Sequence, residues 1–97
     1  MLEVADLKID RAGFQVTRAG IPIGLGTVEF AILAFLARDP GRTFTRAQIV
    51  AHVWLEQVPK TANIVDAHIR RLRAKIDDHF PVKLIHTVRG AGYRLSA

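Results

Sequence analysis

Hydrophobic and polar positions alternate through the first quarter of the chain. The alternating apolar residues are Leu7, Ile9, Phe14, Val16, Ile21, Ile23 and Leu25. A period of two is typical of strands with one buried face. Arg11-Ala12-Gly13 and Arg18-Ala19-Gly20 separate the runs, and each ends in the residue that best tolerates positive φ. The pattern predicts a small antiparallel meander, with Leu2 to Val4 as a candidate further strand.

The period changes to that of a helix after Gly26. Apolar residues at i, i+3, i+4 and i+7 are Phe30, Leu33, Ala34 and Ala37. This spacing predicts a first helix with one buried face, which ends at Asp39-Pro40-Gly41. Thr45-Arg46-Ala47-Gln48 has the form of a capping box, in which the first and last side chains satisfy backbone groups at a helix start. We therefore predict a short second helix that buries Ile49 and Val53.

A third helix, at about residues 62 to 77, has two opposed faces. One face carries Val65, Ile69, Leu72 and Ile76, and the other carries Asn63, Ala67, Arg70, Arg71 and Ala74. The preceding segment Leu55 to Lys60 contains Pro59 and has no clear period, so it is predicted to be a loop. Pro81 ends the helical region by restricting the residue before it. Asp77 and Asp78 oppose the helix dipole, and a solvated, frayed terminus is expected there.

Residues 84 to 95 have the pattern of a β-hairpin. Leu84 to Val88 and Tyr93 to Leu95 are predicted strands, and Arg89-Gly90-Ala91-Gly92 is the glycine-flanked tip between them. In a strand, Thr87 and Arg89 project to the same face. We therefore expect an arginine at the tip of a ribbon, beside a hydroxyl group.

Composition favours one compact domain. The 97 residues are 49% hydrophobic, and the longest apolar run, Phe30 to Ala37, has 8 residues. A membrane helix needs about 20, so no membrane span is expected. Cysteine is absent, which excludes disulfides, thiolate nucleophiles and Cys-based metal sites. This composition suits a reducing cytoplasm.

Basic side chains are concentrated in the carboxy-terminal part of the chain. The formal net charge is +5, from 14 basic and 9 acidic residues. Residues 61 to 97 hold 7 basic and 3 acidic residues, whereas residues 1 to 60 hold 7 and 6. A concentrated positive field favours a polyanionic partner, most often nucleic acid.

The basic face of the third helix suits the major groove of DNA. Arginine matches the two acceptors of guanine, asparagine pairs with adenine, and alanine permits close approach to a thymine methyl. The alternative is that Arg70, Arg71 and Arg73 are only a solvated helix face. The hairpin favours DNA, because an arginine at a ribbon tip suits a narrow minor groove. Taken alone, Gly90 and Gly92 need only satisfy turn geometry.

Several stretches together resemble the OmpR/PhoB family of response-regulator effector domains. They are Val65-Asp66-Ala67-His68-Ile69-Arg70-Arg71-Leu72-Arg73, Ile85-His86-Thr87-Val88-Arg89-Gly90-Ala91-Gly92-Tyr93, Leu25 to Leu36 with Glu29-Phe30 and Leu33, and the pattern Arg46-Gln48-Ile49-Val53-Trp54. The resemblance covers essentially the whole chain, in order. It implies an α+β winged helix-turn-helix, with an N-terminal antiparallel four-stranded sheet, three helices and a C-terminal β-hairpin wing, as one effector domain of residues 1 to 97.

The resemblance also implies a transcription factor that binds double-stranded DNA at direct-repeat promoter sites. By position, the groove-facing residues are Asn63, Ala67, His68, Arg70 and Arg71; the phosphate contacts are Arg73, Thr45, Arg46 and Trp54; the wing contacts are Thr87, Arg89 and Tyr93. In this family the loop at about Leu55 to Lys60 commonly faces RNA polymerase.

Two departures from the family pattern are visible. Gly26 stands where the family usually has threonine, although glycine also serves as a helix cap. No receiver domain precedes Met1, so the chain is expected to be the output half of a regulator whose receiver domain is phosphorylated by a sensor kinase.

Lys83-Leu84-Ile85-His86-Thr87, after Asp77-Asp78, is similar to members that respond to heavy metals such as copper or silver.

Two other function classes compete with DNA binding. One is a binding module without DNA readout, for example a protein-interaction winged helix or an RNA binder. The RNA binder is the weaker of these, because readers of single-stranded RNA usually expose aromatic rings for stacking and only 7% of residues are aromatic. An enzyme is the other, yet Ser96 is the only serine and Gly90-Ala91-Gly92 lacks the third glycine and following helix of a dinucleotide site. The histidines, His52, His68, His79 and His86, lack the paired spacing of metal ligands. We expect no catalytic residue, metal or cofactor.

Overall fold

The computed structural model describes residues 1 to 54 and 63 to 97 and contains two antiparallel sheets and three helices. The first sheet has the order β1 (Leu2–Val4), β2 (Leu7–Asp10), β3 (Gln15–Arg18) and β4 (Ile21–Ile23). The helices are α1 (Thr27–Ala37), α2 (Arg46–Val53) and α3 (Asn63–Ile76). The second sheet has the order β5 (Thr43–Phe44), β7 (Gly92–Leu95) and β6 (Ile85–Val88). The predicted winged helix-turn-helix is confirmed, and the predicted loop 55 to 60 lies outside the described residues.

The first two helices begin at the predicted caps. Gly26 is the N-cap of α1, and its N–H donates to Glu29 Oε1 at 2.8 Å. At α2, the Gln48 N–H donates to Thr45 Oγ1 at 3.0 Å and the Thr45 N–H donates to Gln48 Oε1 at 2.9 Å. The reciprocal pair confirms the capping box, which satisfies backbone donors that a helix start leaves unpaired.

The core lies between the helices and the two sheets. The predicted inward residues Phe30, Leu33, Ala34, Ala37, Val65, Ile69, Leu72 and Ile76 are all buried. Ile32 and Leu36 are buried as well, because α1 packs against α2, α3, β1 and β7 rather than on one side. In α2 the prediction is half right: Ile49 is buried, but Val50 fills the second core position and Val53 is half-buried. No helix among the described residues has the length and apolar content to span a bilayer.

The turn between β2 and β3 differs from the prediction. Phe14 lies in the turn rather than in a strand, has a φ of 53°, and is 68% exposed. Its ring packs on Phe30, with the centroids 4.8 Å apart. The left-handed residue that reverses the chain is therefore Phe14 and not Gly13. The observed turn is one residue longer than the predicted one. The alternating pattern from Leu7 to Leu25 therefore assigned Phe14 to a strand when it belongs to the turn.

Arg18 and Asp77 form a buried ion pair that the sequence pattern does not reveal. Arg18 ends β3 and is 1% exposed, so its assignment to a turn is wrong. Its Nη1 donates to Asp77 Oδ1 at 3.1 Å, and its Nε donates to Asp6 Oδ1 at 2.7 Å. Asp77 is also 1% exposed, so the solvated terminus expected there is wrong as well, although Asp78 is exposed. Buried charges persist only when they are paired and hydrogen-bonded, and removing one partner typically costs about 3 to 5 kcal/mol.

The hairpin is confirmed with small shifts at its strand ends. Leu84 precedes β6, and Gly92 is the first residue of β7. Arg89 lies in the turn after β6, so the expectation that it shares a strand face with Thr87 is wrong. The short strand β5 adds Phe44 opposite Tyr93. A two-residue strand is too short to show periodicity, which is why the sequence did not predict it.

Candidate nucleic-acid interface

The outer face of α3 presents small and cationic side chains. Arg70, Arg71 and Ala74 are exposed, and Ala67 is half-exposed. Arg70 and Arg71 form no ion pair with a carboxylate of the described residues, so their charges face solvent. Asn63 is the first residue of α3, and its side chain lies outside the described part. Apart from Asn63, the two opposed faces predicted for this helix are confirmed.

His68 and Trp54 lie beside each other at one edge of this face. Both are half-exposed, and their ring centroids are 5.7 Å apart. Arg71 Nη1 lies 3.3 Å from His68 Nδ1. Burial lowers the pKa of His68 below its usual value, and the charge of Arg71 lowers it further against a smaller opposing effect of Glu29. His68 is therefore neutral at pH 7 and offers one donor and one acceptor rather than a charge.

Asp66 joins α3 to α2 and to the wing. Arg46 Nε donates to Asp66 Oδ1 at 2.8 Å, and the Tyr93 hydroxyl donates to the same oxygen. Burial raises the pKa of Asp66, but these two hydrogen bonds, together with the charges of Arg46 and Arg70, outweigh burial and hold the pKa below its ordinary value. Sequence reasoning missed Asp66. It is the only acidic residue of α3, and a lone carboxylate on a basic helix is the signal that could have found it.

Tyr93 does not reach the surface as the wing prediction requires. It is 4% exposed, and its ring lies under two guanidinium groups, with Arg46 Cζ at 5.4 Å and Arg73 Cζ at 5.6 Å from the centroid. Burial and then the hydrogen bond to Asp66 raise the pKa of Tyr93, so the hydroxyl keeps its proton and acts as a donor. The assignment of Tyr93 to the exposed wing is therefore corrected: the side chain packs beneath the wing.

Arg73 links α3 to strand β6. Its Nε and Nη2 donate to the Ile85 carbonyl at 3.3 and 3.2 Å, and Nη2 also donates to Thr87 Oγ1 at 2.6 Å. Arg73 is half-buried, whereas Thr87 and Arg89 are exposed. The guanidinium predicted to meet a phosphate is thus occupied within the protein. The same contacts bring the wing strand alongside α3.

The remaining predicted phosphate contacts surround the start and end of α2. Thr45 is exposed, and its hydroxyl retains a proton to donate after accepting from Gln48. Arg46 keeps 39% of its side-chain surface exposed despite its bond to Asp66. Among the described ranges, no group of three histidine, aspartate or glutamate side chains is arranged to hold a metal ion.

Glu29 connects α1 to α3 through Lys75, an exposed residue of α3. Lys75 Nζ lies 2.7 Å from Glu29 Oε1, and the Glu29 side chain is 6% exposed. Burial raises the pKa of Glu29, but the hydrogen bonds from Lys75 and the Gly26 N–H and the nearby positive charge, taken together, outweigh burial and hold the pKa below its ordinary value of 4.5. Glu29 is therefore ionised at neutral pH. This contact fixes the carboxy-terminal half of α3 against α1.

Replacement of Glu29 by glutamine is expected to flatten the loss of stability in acid. A carboxyl group with a lower pKa in the folded state contributes stability above about pH 5, and this stability is lost as the pH falls through the folded pKa. Thermal unfolding measured from about pH 7 down to about pH 3 should show a smaller decline for Glu29→Gln than for the parent. Glu3→Gln, at an exposed position of β1, should decline like the parent. Coincident profiles for Glu29→Gln and the parent would contradict this role.

Comparison with known proteins agrees with this fold. The family model described as "Transcriptional regulatory protein, C terminal" matches residues 20 to 95. Transcriptional activator protein IrlR of Burkholderia pseudomallei is 47% identical over 95 residues, which cover 98% of this chain and 42% of IrlR. Transcriptional regulatory protein CusR of Escherichia coli K12 is 43% identical, over 96% of this chain and 41% of CusR. The DNA-binding domain of response regulator AdeR, solved in complex with an intercistronic region, superposes with a TM-score of 0.87 at 28% identity and 97% coverage of both chains.

The exposed basic helix and the adjoining hairpin define a winged-helix domain. The chain belongs to the family of carboxy-terminal domains of transcriptional regulatory proteins, which are found in response regulators of the OmpR/PhoB type. It spans about two fifths of the length of the curated relatives that it matches.

Proposed function

We propose that this chain binds double-stranded DNA in a sequence-specific manner and thereby controls transcription. The observation that carries the proposal is the exposure of Arg70 and Arg71 on α3 together with Arg89 at the tip of an adjoining wing. Arg73 on α3 donates a hydrogen bond to Thr87 of the wing, so the two cationic features are directly joined. The solved complex of AdeR with an intercistronic region supports the same use of this fold.

In the proposed complex, α3 occupies the major groove and the wing approaches the minor groove. Arg70 and Arg71 would donate to guanine, Asn63 would pair with adenine, and Ala67 would let the helix approach the base edges closely. Neutral His68 would add a donor or acceptor at the side of the groove. Thr45, Arg46 and the Trp54 indole would meet phosphates, which position the domain without reading sequence.

Arg73 and Tyr93 take a different part in this proposal. Their polar groups are engaged by Ile85, Thr87 and Asp66, so we assign them to the support of the wing rather than to direct DNA contact. Thr87 and Arg89 remain the wing residues that would face DNA, with Arg89 in the minor groove, where a narrow A·T-rich groove concentrates negative potential.

The partners proposed for the longer protein follow from its relatives. We propose that a receiver domain phosphorylated by a sensor kinase controls this domain, that two copies bind direct repeats, and that loop 55 to 60, outside the described residues, faces RNA polymerase. The 43% sequence identity with CusR is consistent with the heavy-metal-responsive branch of the family. The proposed role is binding rather than catalysis, and the proposed location is the cytoplasm, since the relatives it matches are bacterial transcriptional regulators.

Selection of duplexes from a random pool tests the proposal. Repeated binding and amplification should enrich one motif, and its copies should recur in direct repeat if two domains bind together. Affinity for the enriched duplex should fall with salt, with log K decreasing by about 0.9 per phosphate neutralised for each unit of log salt concentration. Failure to enrich any motif, or equal competition by single-stranded RNA, would overturn the proposal.

Replacement of Arg89 by alanine is expected to weaken binding most on sites with A·T-rich flanks. The lost guanidinium no longer meets the negative potential of a narrow minor groove. Titration of duplexes that differ only in their flanks measures the effect. Lys8→Ala removes an equal charge from the solvent face of the first sheet, opposite buried Leu7 and Ile9, and should show no dependence on the flanks. A flank-independent loss for Arg89→Ala would count against minor-groove insertion.

A further inference from the structure

Asp77 joins the end of α3 to the start of the wing. Its Oδ1 accepts from the Leu84 N–H and its Oδ2 accepts from the Ile85 N–H, both at 3.0 Å. Both donors lie at the base of β6, and the whole contact is buried. A carboxylate that accepts two backbone N–H groups fixes the direction in which the strand leaves it.

Arg73 holds the same residue of the wing from the other side. It lies one helical turn before Asp77, so the two side chains project from one face of α3. Arg73 donates to the Ile85 carbonyl, while Asp77 accepts from the Ile85 N–H. Both polar backbone groups of Ile85 are therefore bonded to α3, the proposed recognition helix, or to Asp77, the residue that follows it. This double attachment restricts both the translation and the tilt of β6 relative to α3.

Arg18 holds the Asp77 carboxylate in place through the hydrogen bond from its Nη1 to Asp77 Oδ1. Besides Asp77 and Asp6, its guanidinium donates to the carbonyls of Ile76 and Val82. Ile76 is the last residue of α3, so Arg18 also satisfies a carbonyl that the helix end leaves unpaired. The first sheet, the end of the recognition helix and the approach to the wing are thus joined at one guanidinium.

Arg18, Asp77 and Arg73 together with Ile85 form a joint at the base of the wing. Small changes in the geometry of this joint are amplified at the tip of the wing. Arg89 follows Ile85 by four residues, which at about 3.3 Å per residue places the tip roughly 13 Å from the attachment. A tilt of roughly 10° at the base would move the tip by about 2 Å, several times the range of about 0.5 Å within which N–H···O distances normally fall. The joint therefore determines whether Arg89 reaches one groove while α3 occupies another.

We propose that Arg18, Asp77 and Arg73 are positioning residues for DNA binding: through Ile85 they set the geometry between the recognition helix and the wing. The proposal rests on the proposed function and adds to it a set of residues that act on DNA without touching it. A wing held in its bound geometry before association loses less conformational freedom when it binds.

A double-mutant cycle between Asp77 and Arg89 tests this proposal on the enriched duplex. Asp77→Asn retains the size of the side chain but replaces one acceptor with a donor. We expect it to weaken binding by about tenfold, with the domain still folded by circular dichroism at the assay temperature. Arg89→Ala should weaken DNA binding by about tenfold in the parent but by less than about twofold in the Asp77→Asn variant. In that variant the misdirected wing no longer brings Arg89 into contact with DNA, so removing its side chain changes little. Losses that multiply to about a hundredfold in the double variant would overturn the proposal.

Asp6→Asn is the matched control for stability. Asp6 contacts the same guanidinium but is 47% exposed, and within the described residues its carboxylate has no hydrogen bond of its own to α3 or to the wing. Its removal should leave affinity within about twofold of the parent, and an equal loss for Asp6→Asn and Asp77→Asn would overturn the proposal. If Asp77→Asn does not fold, Arg73→Gln takes its place in the cycle, because the Arg73 substitution leaves the Arg18–Asp77 pair intact. The same two outcomes then support or overturn the proposal. The cycle begins with a duplex that the parent already binds. A result that overturns the positioning role would therefore leave the proposed function, DNA binding, intact.

Discussion

Replacement of Gly92 by alanine is expected to lower the free energy of unfolding by about 3 kcal/mol or more. A Cβ at this position would lie 1.9 Å from the Phe44 carbonyl oxygen, which belongs to the backbone of β5 and cannot move aside as a side chain could. The φ of Gly92, 153°, lies in a region that residues with a Cβ rarely adopt. The clash and the backbone strain therefore add. Urea unfolding should show the loss as a lower midpoint.

Gly90→Ala is the matched control for Gly92→Ala. Gly90 also has a positive φ, 74°, but a Cβ there would meet nothing within 4 Å. Only the left-handed strain of about 1 kcal/mol should remain. If both variants lose the same stability, the close approach of β7 to Phe44 is not the reason for the second glycine of the hairpin.

Replacement of Arg71 by alanine is expected to weaken binding to the enriched duplex by about 1 to 3 kcal/mol. This corresponds to roughly a 5- to 150-fold rise in Kd. The physical reason is the loss of two parallel donors to one guanine, so the preference at one base pair should relax at the same time. Selection repeated with the variant measures that preference, and titration of the parent duplex measures the affinity.

The Lys8→Ala variant separates base readout from general charge. It lowers the net charge by the same amount at an exposed position of β2. We expect a small, sequence-independent loss for Lys8→Ala, which raised salt should reduce. An Arg71→Ala variant that keeps its preference at every base pair, and loses no more affinity than Lys8→Ala, would remove Arg71 from the set of reading residues.

Local patterns predicted most of the secondary structure because neighbouring residues decide it. Thr45 and Gln48 satisfy each other within one helical turn, and the buried stripe of α3 repeats with the helix period. Phe14 shows where such reasoning stops. An apolar residue fits an alternating pattern whether it lies in a strand or in the adjacent turn. For Phe14, the packing of its ring on Phe30 in the folded protein distinguishes the turn position from the strand position.

The candidate site was only partly visible in the sequence. The exposed residues Arg70, Arg71 and Arg89 were predicted from a helix face and a hairpin tip, both of which are local features. Arg73 and Tyr93 were placed by resemblance among DNA contacts, yet both are engaged inside the protein. Asp66 was not predicted at all, because its partners come from α2 and β7. A residue type reports what a side chain can bond to, but not which bond it makes.

The amino-acid order by itself determined three helices, a meander, a hairpin and a basic outer face on α3, since capping, periodicity and turn chemistry act over a few residues. Only the tertiary structure decided that Arg18 is buried against Asp77, 59 residues away, and that Gly92 must lack a side chain because Phe44 lies against it. These features depend on packing between distant segments, and desolvation can pair two charges or exclude a methyl group only after the chain has brought them together.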